Sequence, residues 1–162
     1  MPLIHQVREL LGYLQKNPAI RSMIAAPPNA TVLYAGSFFR PVWKDLEYMK
    51  LTHPGFSAKK MLPEVLSGIR LAGAPYPTLL DWAMALDAFP PWKENGFTVW
   101  RALSGIFAAN AVGTVSFCIG SGITKADKVF AATELPVLLR NPNVDLVTKD
   151  ILQYYQRCLQ QG

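Results

Sequence analysis

Charge is missing from one long stretch of this chain. Between Ala102 and Thr124 there is no Asp, Glu, Lys or Arg. Reactive side chains are scarce as well: Cys118, Cys158, His5 and His53 are the whole complement of cysteine and histidine. The cysteines lie forty residues apart, so they make neither a metal-ligand spacing nor a disulfide framework. No HExxH, CxxC, GxSxG, Walker or GxGxxG pattern occurs, which removes the signatures of several enzyme classes. Asp81 and Asp87 are six residues apart and face differently on a helix, so they form no acid–base pair. The basic residues do not cluster despite a net charge of +5, which argues against nucleic acid as a partner. A signal peptide is not evident, since His5, Arg8 and Glu9 interrupt the first apolar run. An address for an organelle would then be internal or already removed. Neither an internal repeat nor a strand pattern of useful length stands out.

What is present is chiefly helical periodicity. Leu3, Val7, Leu10, Leu11 and Leu14 share one face over 3–16, and Asn17-Pro18 ends that helix. Pro27-Pro28-Asn29 is a break, with Asn29 as the N-cap of a second helix over 30–51 that Pro41 kinks or restarts near Ser37. Thr52-His53-Pro54-Gly55 is a turn. A third helix begins at Ser57 and carries Met61, Leu62, Val65, Leu66 and Ile69 on one face. A short apolar helix follows over 78–89, and two more over 127–140 and 143–159, with Pro136 kinking the first of these.

The uncharged run then reads as a membrane span. Twenty-three residues of helix reach roughly 34 Å, and a hydrocarbon core is about 30 Å thick. Eleven of the residues are Ala, Gly or Ser, so the helix inserts weakly alone and calls for a partner. Ala102, Gly105, Ala109, Gly113, Ser116 and Gly120 fall in one arc of about 80°, a face on which a second backbone can come close. Phe107 lies on another side, where change would be mild. Trp92, Trp100, Arg101, Lys125 and Lys128 stand where membrane-interface anchors belong. The competing reading of the run is a buried core helix.

The expected fold is therefore all-α: a helical region at 1–98, one transmembrane helix at 99–124 and a helical tail at 125–162. Residues 1–101 carry eleven Lys/Arg against seven Asp/Glu, and residues 125–162 carry five against four. The more positive N-terminal part belongs on the inner side by the positive-inside rule.

In the order of these pieces the chain resembles subunit g of the mitochondrial ATP synthase. The residues concerned are Phe39-Arg40-Pro41-Val42-Trp43-Lys44-Asp45-Leu46-Glu47-Tyr48-Met49-Lys50-Leu51, His53-Pro54, Met61-Leu62-Pro63-Glu64-Val65, Thr98-Val99, and Phe117-Cys118-Ile119-Gly120-Ser121-Gly122-Ile123-Thr124-Lys125. The likeness covers about 1–125. It leaves 74–96 as an insertion and 126–162 as an extension, and Ser121 stands where the family has an acidic residue. The resemblance implies a non-catalytic subunit of the mitochondrial inner membrane. Its span would pair with the helix of subunit e, support dimerisation and curve the membrane. Lipid headgroups, cardiolipin among them, would lie near Arg101, Lys125 and Lys128. Residues 1–98 would face the matrix and 125–162 the intermembrane space. No cofactor or metal is implied. The alternative is an accessory single-span subunit of a respiratory-chain complex.

Overall fold

The computed structural model describes residues 3–35, 60–72, 76–87, 95–119 and 133–161. The chain begins with α1 (Leu3–Lys16), where Val7, Leu10 and Leu14 turn one face into the core. Asn17 closes this helix by donating from Nδ2 to the Tyr13 carbonyl at 2.6 Å. Pro18 then opens the short α2 (Pro18–Met23), where its missing N–H costs nothing.

After Ile24 the backbone straightens into β1 (Thr31–Ala35). Thr31, Val32 and Leu33 are all buried, so both faces of this strand are covered. β2 (Lys60–Met61) leads directly into α3 (Leu62–Ser67). Thr78 starts α4 (Leu79–Asp87): its hydroxyl accepts the Asp81 amide at 3.1 Å and donates to the Asp81 carboxylate at 2.8 Å. That reciprocal capping belongs to a Thr-x-x-acid pattern.

The uncharged run comes next, and it is not one element. It contributes the end of α5 (Asn95–Ala109), a turn at Asn110 and then β3 (Ser116–Ile119). A helix of 15 residues is roughly 22 Å long, short of the ~30 Å of a hydrocarbon core. Among the described residues no helix is long and apolar enough to cross a membrane. Val99, Leu103, Ser104, Phe107 and Ala108 are all buried, so the lack of charge reflects protein neighbours rather than lipid. The expected span at 99–124 is corrected on this ground, and with it the matrix and intermembrane-space assignment. An integral inner-membrane location conflicts with the same finding.

The all-α expectation is corrected too. β2, β1 and β3 lie side by side in that order, and both pairings are parallel. Val32 stands opposite Ser116, Leu33 opposite Phe117 and Ala35 opposite Ile119. Period-two alternation fails here because a strand covered on both faces has no polar side to show. Asn29 caps no helix: it takes φ of 64°, and β1 follows. The rest of the expected 30–51 helix, including the kink at Pro41, and the turn at 52–55 lie outside the described residues.

The remaining elements are α6 (Leu135–Arg140) and α7 (Leu146–Gln161). Pro136 falls in the first turn of α6, after a π-helical pair at Thr133 and Glu134, and residues 127–132 of the expected helix lie outside the described residues. The core joins the buried faces of α1, α3, α4, α5, α6 and α7 with Leu33 and Val115. Trp82 sits within it, with the Tyr13 ring edge-on at 5.4 Å between centroids.

Candidate functional site

The amino ends of β1 and β3 are held by a dense polar network. Asn110 donates from Nδ2 to the carbonyls of Arg21 and Ile24 at 2.9 and 3.0 Å, tying the end of α5 to the end of α2. Asn29 donates its amide to the Val112 carbonyl at 2.9 Å, and its side-chain oxygen accepts the Thr114 amide at 2.8 Å. Gly113 lies between them with φ of 79°, a left-handed conformation that glycine takes without strain.

Asn141 completes the end of α5. Its Nδ2 reaches the carbonyls of Ala108, Ala109 and Ala111 at 3.0, 3.1 and 2.9 Å, and its oxygen accepts the Asn143 amide. Asp145 caps α7 by accepting the Thr148 amide at 2.8 Å and also receives the Thr114 hydroxyl. Hydrogen bonds from Thr114 and then Thr148 hold the Asp145 carboxyl below its ordinary pKa. The Thr148 hydroxyl in turn accepts the Val115 amide at 3.1 Å. Nearly every polar group here meets a backbone partner, so the network is a structural knot. One nearby group is left over: Thr31 Oγ1 is buried with no hydrogen-bond partner.

The chemically unusual group lies elsewhere, just before α6. Glu134 is 5% exposed, and burial pushes its carboxyl up to about 8. It is therefore mostly neutral at pH 7, when it both donates and accepts hydrogen bonds. Its neighbour Thr133 is half-buried, and the Thr133 hydroxyl accepts Arg101 Nε–H at 3.1 Å. Gly105 faces the same residue: a Cβ there would meet Thr133 Cγ2 at 3.3 Å. Among the described residues no three His, Cys, Asp or Glu side chains group as a metal site.

The positions singled out as a packing stripe do not share a helix. Ala102, Gly105 and Ala109 lie on α5, Gly113 in the turn and Ser116 in β3, while Gly120 lies outside the described residues. Of the proposed interface anchors, Trp100 packs half-buried against the core and Arg101 is exposed beside Thr133. Trp92, Lys125 and Lys128 lie outside the described residues.

Sequence reading missed Glu134 altogether, since nothing local marks an acid that tertiary packing will bury. Asn141 was legible only as lying between the two helices expected over 127–140 and 143–159. The capping pair Asp145 and Thr148 carried the one usable signal, an Asp three residues before a Thr at the start of an apolar-periodic segment.

No protein-family model, no curated protein and no solved structure matches the chain. The likeness to subunit g thus rests on segment order alone, and the span at its centre is replaced by a helix, a turn and a strand. That identification is corrected, together with the function drawn from it, the respiratory-complex alternative and the span-pairing mechanism.

Proposed function

We propose that this chain is an α/β domain that binds a small polar ligand in the crevice at the carboxyl ends of β1 and β3. The observation that carries the reading is the strand order β2-β1-β3 with every pairing parallel. From β1 the chain goes to a neighbour on one side, and from there it comes back to a neighbour on the other. Such a reversal of strand order is the topological switch point of a parallel sheet. In open parallel sheets ligands settle there, outside the carboxyl ends of the strands.

Two further features support it. The chain continues from Ala35 into Gly36-Ser37 and from Ile119 into Gly120-Ser121-Gly122, all outside the described residues. Residues without a Cβ let a ligand approach the backbone closely. Glu134 is the second feature. Asn141, at the far end of α6, is bonded to the end of α5 beside the amino end of β3. Thr133 is bonded to Arg101, eight residues earlier along α5 and so about 12 Å away at helical rise. That offset matches the length of the four-residue β3, about 13 Å. On this reading Glu134 lies at the level of the carboxyl ends of the strands. A neutral carboxyl there would donate a hydrogen bond to a ligand oxygen and accept one from a ligand N–H or O–H.

The reading is of ligand binding. An NMR screen of polar fragments against the labelled protein tests it. Shifts should gather at Ala35, at Cys118 and Ile119, and at Thr133 and Glu134. Shifts confined to the amino-end residues Asn29, Thr114 and Asp145, or none with a broad library, would refute it.

A further inference from the structure

One face of α7 stands exposed among the described residues. Val147 is 66% exposed, Ile151 37% and Tyr154 57%, and Cys158 continues the same line half-buried. Steps of four, three and four residues place these side chains within about 60° of one another on a helix. The core face, with Thr148, Leu152 and Tyr155, lies to one side of this stripe. On the other side stand Asp150 and Arg157, both exposed.

We propose that this face pairs with α7 of a second copy of the chain, the two helices running antiparallel. The stripe has the alternating four-and-three spacing that lets two helices interlock. In an antiparallel pair Ile151 meets the partner's Tyr154, and Val147 meets the partner's Cys158. The same arrangement sets Asp150 against the partner's Arg157, and two-fold symmetry repeats that contact. A parallel pair would bring each flank against the core-side flank of its partner, Thr148 and Tyr155, where no charge answers Asp150. The sign pattern therefore selects both the occupant and its direction. Four side chains per copy make a small interface, so the dimer is weak and concentration-dependent. This pairing is independent of the crevice at the sheet edge.

The test is sedimentation equilibrium of the full chain at rising concentration, with charge reversals. The unaltered protein should pass from monomer to dimer as concentration rises into the micromolar range. Asp150→Arg alone, or Arg157→Asp alone, should weaken the dimer by about tenfold, since two attractions become two repulsions. The double variant D150R/R157D should recover it. Direction is read by oxidising Val147→Cys protein and mapping the linked peptides. A bond between Cys158 and the new position 147 of another copy supports the antiparallel pair. A protein monomeric up to the millimolar range, single reversals without effect, a double variant as weak as the singles, or only 158–158 links would overturn the proposal.

Discussion

The side-chain oxygen of Asn29 stands 2.0 Å from the point a Cβ on Gly113 would occupy. The contact is tight because that oxygen accepts the amide of the next residue, Thr114, at 2.8 Å. Both residues have positive φ, 64° at Asn29 and 79° at Gly113. Gly113→Ala combines a clash with backbone strain, and it should lower unfolding free energy by about 2–4 kcal/mol. Urea denaturation measures this. Neither effect depends on a partner helix, so the loss should appear in the isolated monomer.

Asn141 should matter as much. Its Nδ2 serves three carbonyls at the end of α5, and the side chain is 4% exposed. Asn141→Ala takes that donor from all three and leaves the Ala108 carbonyl with only the Ala111 amide at 3.2 Å, at an expected cost of about 2–4 kcal/mol. Asn141→Asp should be no better, since it keeps the shape while removing the donor. Chemical denaturation of both variants checks the pair, and a near-native Asp variant would contradict the donor role.

Legibility in the sequence divides by burial. The amphipathic helices α1, α3, α4 and α7 were readable because each has one polar side, and their apolar residues recur at helical spacing. β1 was not. It is only five residues long and buried on both faces, so Val32 could be counted with the apolar residues of a longer helix. The stretch from Ala102 failed for a related reason. The part of α5 after Arg101 packs largely into the core and β3 pairs with the buried β1, so neither stretch carries charge, and they join into one apolar run. The break was marked all the same: Asn110 ends the helix and Gly113 turns the chain. Glu134 and Thr31 could not be read at all, because only tertiary packing decides whether a polar side chain loses water.

Thr31 offers a prediction of the opposite sign. Its hydroxyl is buried without a partner in the central strand. Thr31→Val keeps the branched shape and removes an unsatisfied group, so stability should rise by about 1 kcal/mol. A thermal melt decides it, and a destabilised variant would mean the hydroxyl has a partner in solution.

Phe107 was expected to sit on a mild, lipid-facing side. It is fully buried in the core, and Phe107→Ala should cost about 3–5 kcal/mol. A variant close to native stability in denaturant would contradict the packing of α5 against its neighbours.

Glu134 makes stability depend on pH. Its folded carboxyl titrates near 8, against an ordinary value of 4.5. Below 4.5 both folded and unfolded forms hold the proton. Above that, the unfolded chain releases it while the fold keeps it, so stability falls as pH rises and levels off beyond about 8. Each pH unit in this window is worth about 1.4 kcal/mol. Asp145 acts the other way at low pH: its lowered carboxyl adds stability that is lost as pH falls through its folded pKa. Urea midpoints from pH 5 to 9 should decline for the unaltered protein, and Glu134→Gln should remove most of that decline. The same decline in both proteins would show that Glu134 is not the group responsible.

The most direct measurement concerns the pairing of β1 with β3, on which the fold and the proposed crevice both depend. Nuclear Overhauser contacts can be collected on labelled protein in whichever medium holds it folded, aqueous buffer or micelles. The account predicts cross-strand contacts that join Val32 to Ser116, Leu33 to Phe117 and Ala35 to Ile119, in parallel register. It also predicts that helical contacts stop at Ala109. Unbroken helical contacts from Ala102 through Thr124, with none to β1, would contradict it and restore the membrane span.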